Sequence, residues 1–136
     1  MIIYSKKNKK KILGIIFRYK KISKNRINIS PANEFIQAST QKLKKDDIIR
    51  PHIHLKNNRV TTSTQEIWLV LKGKLLIKIY DTDKKQIKSL SLNKGDMYIL
   101  FRGGHSLKVI ANNTEFYEIK NGPYRKNIKD IEYLKQ

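Results

Sequence analysis

A chain of 136 residues has room for one compact domain, and an apolar fraction of 39% supports a modest core. The longest apolar run, ILGIIF at 12–17, is too short to span a bilayer, and basic residues resume at Arg18 where a leader would need a cleavage site, so the protein is read as cytoplasmic and without a transmembrane segment. Cysteine is absent, which excludes disulfides and thiolate ligands and leaves nitrogen and oxygen to hold any metal.

The net charge is +19, with ten Lys or Arg and no acid in residues 1–26. Residues 1–11 read as a basic N-terminal arm, able to meet phosphate backbones or anionic lipid without specificity. Lysines number 24 against six arginines, whereas specific nucleic-acid surfaces favour arginine and stacking aromatics, so no specific nucleic-acid partner is expected.

In chain order, ILGIIFRY (12–19), EFIQAST (34–40) and IIRPHIHL (48–55) read as strands, the last with Pro51 marking an edge or a bend. EIWLVLKGKLLIKIYD (66–81) reads as a hairpin turning at Lys72–Lys74, and QIKSLSL (86–92), MYILF (97–101), LKVI (107–110) and EFYEI (115–119) follow as further strands. DTDKK (81–85), NKGD (93–96), RGG (102–104) and ANN (111–113) carry the turn chemistry between them. Only the tail, 127–136, has helical spacing, with Ile128, Ile131 and Leu134 three apart. So many short strands in a small chain predict an all-β sandwich or barrel over 12–126. On 66–71, Glu66, Trp68 and Val70 share one face and Ile67, Leu69 and Leu71 the other; a strand apolar on both faces must be covered on both, and a homodimer is expected to cover the second.

In an extended strand His52 and His54 point the same way, with Ile53 opposite, and a shared cation is what such a pair can hold. The remaining histidine, His105, follows two glycines, and Glu66 stands at the head of the next strand. Three imidazoles and a carboxylate from the strands of one barrel would form a nitrogen–oxygen site for zinc, iron, manganese or nickel.

These residues resemble the motifs of the cupin superfamily. HIH (52–54), Glu66, six residues and Gly73 follow its first motif; Gly95, five residues, and FRGGH (101–105) follow its second, with Phe101 in place of proline, the histidine one residue early, and Val109 where asparagine usually stands. The segment between His54 and Glu66 is longer than usual in the family. The likeness covers about residues 26–124 and is nearest to small cupins sharing NISPANEFIQ (28–37), TQEIWLVLKG (64–73), GGH (103–105) and IKNGPY (119–124), which are associated with surface-polysaccharide and nucleotide-sugar pathways. The resemblance implies a cupin-type β-barrel or jelly roll, a divalent transition metal on His52, His54, Glu66 and His105, and a sugar-like or anionic small-molecule ligand. Glu66 and His105 are the candidates for acid–base work in an isomerase, epimerase or oxygenase reaction.

Around that centre, Gln37 is expected to line the barrel, Arg59 and Arg102 to receive an anionic group, and Trp68, Tyr98 and Tyr124 to stack on a sugar or pack the core. Two alternatives stand beside the metal reading. One is a metal-free nucleotide-sugar isomerase of cupin type. The other is a non-catalytic module binding a sugar, or binding nucleic acid or a membrane surface through its basic residues.

Overall fold

The computed structural model describes residues 1–23, 25–123 and 130–134. Its strands are β1 (Ile2–Tyr4), β2 (Ile12–Phe17), β3 (Arg26–Asn28), β4 (Ser39–Gln41), β5 (Glu66–Lys72), β6 (Lys74–Tyr80), β7 (Gln86–Asn93), β8 (Met97–Leu100), β9 (Gly104–Val109) and β10 (Glu115–Lys120), with one 3₁₀ turn at Tyr19–Lys21. They form a five-stranded sheet ordered β1-β2-β8-β5-β10, a three-stranded sheet ordered β7-β6-β9, and the β3-β4 pair, all antiparallel. The two larger sheets face each other as a sandwich and do not close into a barrel.

Alternation builds the core. Leu75, Ile77 and Ile79 of β6 face inward and are fully buried, while Lys78 between them is exposed. From the opposite sheet Trp68, Val70, Tyr98 and Leu100 meet them, joined by Leu13, Ile16 and Ile3. The β1–β2 register skips Leu13 (Ile3 pairs with Gly14, Tyr4 with Ile12), and this bulge turns Leu13 into the core. A second cluster covers the outer face of the large sheet: Ile15, Ile67, Ile99 and Phe101 pack beneath Ile29, Ile36 and Ala38.

Four expectations are corrected here. The stretch 66–81 is not a hairpin: β5 pairs with β8 and β10, β6 with β7 and β9, and Gly73 is the corner between sheets. At φ 74° Gly73 adopts a backbone that side chains rarely tolerate, and a Cβ there would lie 2.8 Å from Thr114 Cα. The basic stretch is not a free arm, because β1 pairs with β2 and Ile3 is 5% exposed. The Ile67 face is covered by the chain's own residues 29–38, which removes the stated reason for a dimer there, although Leu69 and Leu71 remain half-buried. Finally, 48–55 is not a strand. Residues 42–65 run outside both sheets, exposed without interruption from Gln41 to Val60. Strand hydrogen bonds come from a neighbour, and this segment has none among the described residues. Most of the predicted tail helix lies outside the described residues, and the described part, 130–134, is not helical.

Candidate functional site

Glu66 opens β5, in register with Leu100 on one side and Lys120 on the other. Trp68, two residues on, faces the same interior and is in register with Tyr98. From the small sheet His105, in register with Ile79, points inward to meet them. Its Nε2 stands 3.2 Å from Glu66 Oε2, and its ring meets Trp68 edge-on with centroids 4.7 Å apart. Trp68 in turn lies edge-on to Tyr98 at 5.8 Å and to Phe116 at 6.3 Å. Two sheets thus deliver a carboxylate, an imidazole, an indole and a phenol to one point at the end of the sandwich.

Burial sets the protonation of this group. It raises the Glu66 carboxyl, a shift opposed by the Lys120 charge and reinforced by Glu118 and Asp130. Burial lowers His105, which favours the neutral imidazole that can ligate. Tyr98 is held protonated far above its usual range by burial and by the Glu66 charge. Glu66 Oε2, Trp68 Nε1 and Tyr98 Oη are all buried without a hydrogen-bond partner among the described residues; the His105 contact is close, but too poorly aligned to serve Oε2 as one. Buried polar groups are satisfied in the great majority of cases, so three such atoms in one cluster mark a place where something polar is accommodated.

The other predicted residues fall elsewhere. His52 and His54 touch each other in the exposed segment, with ring centroids 5.2 Å apart, and His52 Nδ1 lies 2.9 Å from the Arg50 carbonyl. Arg59 is exposed in the same segment. Gln37 does not line the interior; it is exposed and donates to the Pro31 and Glu34 carbonyls at 2.9 and 2.5 Å, closing its own turn. Arg102 is committed to structure: it pairs with both oxygens of Glu34, at 2.7 and 2.9 Å, and donates to the Ile12 carbonyl. Tyr124 lies outside the described residues. Among the described residues, no three His, Cys, Asp or Glu side chains are grouped to hold a metal ion.

Sequence reasoning missed Gln65. It is 4% exposed, accepts from Ile36 N at 2.7 Å, and donates to Glu34 Oε2 at 2.8 Å, while its own N–H donates to Asn121 Oδ1 at 2.6 Å. With Arg102 and Glu34 it staples the covering segment to the head of β5, fixing the strand on which Glu66 sits. Its signals in the sequence were its place immediately before Glu66 and within the shared stretch TQEIWLVLKG (64–73).

No family model, no curated protein and no solved structure matches this chain.

Proposed function

We propose that the protein is a small metal-binding domain of cupin type, with a divalent transition metal and a small polar, sugar-like ligand held at the Glu66–His105 end of the sandwich. The three partnerless buried atoms, Glu66 Oε2, Trp68 Nε1 and Tyr98 Oη, carry this reading. A carboxylate at 3.2 Å from a neutral imidazole supplies two donors of the types that such metals take. Two donors are half of a site. The exposed His52–His54 pair would supply the rest once residues 48–56 lie along the opening, and the bound ion would then polarise a carbonyl or hydroxyl of the ligand. Within that arrangement Glu66 orients His105 and accepts a proton, Tyr98 Oη donates a hydrogen bond, and Trp68 presents both an indole N–H and an apolar wall.

One observation favours a second reading, acid–base chemistry without a metal. Glu66 is pushed up and His105 down, which draws the two groups together in proton affinity. Elemental analysis of the purified chain separates the two. One equivalent of zinc, iron, manganese or nickel, lost in Glu66→Gln and His105→Ala variants that still unfold cooperatively, is the expected result. A metal-free protein that takes up none of these ions at neutral pH overturns the metal reading.

A further inference from the structure

Lys6, Lys7, Lys9, Lys10 and Lys11 fall within six consecutive residues, and the fold holds them in one place. Ser5 N donates to the Lys11 carbonyl at 2.9 Å and Lys11 N to the Asn8 carbonyl at 2.8 Å, closing the loop between β1 and β2. Asn8 N donates to Ser5 Oγ at 2.8 Å. Lys6 N and Lys7 N donate to Asp81, which is 2% exposed in the β6–β7 turn, at 2.6 and 3.2 Å. The loop is thus fixed beside Lys84 and Lys85, while the one carboxylate that anchors it is taken up by backbone amides. Lys84 pairs with Glu132 and Lys85 with Asp83. The five lysines of the loop, and Lys88 on β7, are exposed and have no ion pair among the described residues. Like charges held this close repel one another, a cost that an anionic surface removes.

An apolar ridge runs into the same loop. β1 is the outer strand of the five-stranded sheet and pairs only with β2 among the described residues. Alternation along it buries Ile3 and turns Ile2 and Tyr4 out, at 47% and 48% exposure. Between β1 and β7 lies an open groove of about 180 Å³, lined by Ile2, Ile3, Tyr4 and Ile87 together with Lys6 and Lys88. Apolar and cationic side chains therefore share one surface. An aliphatic and an aromatic residue left bare side by side, ringed by unpaired ammonium groups, mark a place where something both anionic and apolar is met.

We infer that this surface, the β1–β2 loop with the exposed side of β1 and Lys88, docks the protein reversibly on a bilayer that presents anionic lipid headgroups. The lysines lie among the headgroup phosphates, and Ile2 and Tyr4 enter the boundary between headgroups and acyl chains, where an aliphatic side chain and an amphipathic ring are both favoured. Two features select a bilayer over nucleic acid. The loop holds lysines and no arginine. A charged bilayer attracts any cation near it, whereas nucleic-acid recognition draws on forked guanidiniums and stacking platforms. The second feature is Ile2, which gains nothing from a phosphodiester backbone and gains from acyl chains. Docking of this kind stands apart from the metal reading above and uses none of its residues.

The test spins the full-length chain with vesicles of phosphatidylcholine, alone or mixed with phosphatidylglycerol, at physiological ionic strength. Co-sedimentation with the mixed vesicles only is the expected result. Replacing Lys6, Lys7, Lys9, Lys10 and Lys11 by serine should weaken it by about a hundredfold or more, since each lysine near an anionic surface contributes about fivefold. Insertion is read separately. The chain has no cysteine, so Ile2→Cys can carry an environment-sensitive fluorophore, with Tyr117→Cys on β10, at the opposite edge of the same sheet, as the reference. Mixed vesicles should shift the emission of the label at position 2 to the blue and leave the label at 117 unchanged. No co-sedimentation with mixed vesicles, or undiminished co-sedimentation of the lysine-to-serine variant, would overturn the proposal. An equal shift at both labels would do the same, since no one face would then meet the bilayer. Duplex DNA is added to the mixed vesicles at matched phosphate concentration. A chain that stays on the vesicles supports the bilayer; one stripped from them onto the DNA has nucleic acid as its partner, and the proposal fails.

Discussion

Tyr98 is 1% exposed, and its hydroxyl reaches no acceptor among the described residues, an arrangement that costs stability unless a ligand repays it. Tyr98→Phe is therefore expected to leave the urea midpoint unchanged or to raise stability by up to about 1 kcal/mol, since it removes an unsatisfied group and keeps the ring. A loss above that would reveal a partner for the hydroxyl in the free protein. Asp81 presents the opposite case. Burial raises its carboxyl, but the Ser5 side chain and the N–H groups of Thr82, Lys7 and Lys6 outweigh this and hold it at about 2. Lys6 N donates to it at 2.6 Å and Thr82 N at 2.7 Å, so one carboxylate ties the β1–β2 turn to the β6–β7 turn. The folded value lies below the unfolded one of about 3.9, so the stabilisation is complete above about pH 4 and is lost as pH falls toward 2. Asp81→Asn should lower stability at pH 7 and flatten the fall in stability between those limits, as read by denaturant unfolding across that range. An unchanged acid limb would remove Asp81 from this role. The sequence marked Tyr98 as a stacking or core residue but showed neither its unpaired hydroxyl nor the role of Asp81, because burial of a tyrosine hydroxyl and convergence of three backbone amides are produced only by tertiary packing.

At the scale of elements, the strands with clean alternation or strong turn chemistry were legible. DTDKK, NKGD, RGG and ANN each contain a residue of positive φ, at Lys84, Gly95, Gly103 and Asn113, and each lies between strands. What alternation does not state is which strand a strand pairs with. KGK at 72–74 looks like a hairpin turn, yet it carries the chain from one sheet to the other, because β8 and β10 occupy both edges of β5. Gly73→Ala should cost on the order of 2 kcal/mol or more in stability, through strain at positive φ and overlap with Thr114; a neutral effect would mean that the corner is free to relax. The front of the chain divides the same way. Its lysines suggested a free arm, while the short IIY of β1 was too brief to register as a strand. Ile3→Ala should destabilise by about 2–4 kcal/mol as a core truncation, whereas replacing the lysines at 6, 7, 9, 10 and 11 by serine should leave the unfolding midpoint nearly unchanged. Equal effects from the two changes would contradict the burial of β1.

For the molecule as a whole, half of the candidate site was legible. Glu66 and His105, two of the four residues that the resemblance groups, stand 3.2 Å apart on opposite sheets. His52 and His54 do not join them, because a strand exists only where an edge receives it and residues 48–55 pair with no strand among the described residues. The histidine pair was plain in the sequence; the exposure of Ile53 and Leu55 beside it was not. Trp68 is the only tryptophan and its ring meets His105 at 4.7 Å, so its fluorescence reports directly on this site. Titration of the purified chain with nickel(II), a paramagnetic quencher, should quench Trp68 emission to a plateau at one ion per chain, and His105→Ala should abolish the saturable phase. Stoichiometric nickel binding with Trp68 emission unchanged would put the ion on the exposed histidine pair alone and contradict a metal centre at Glu66 and His105.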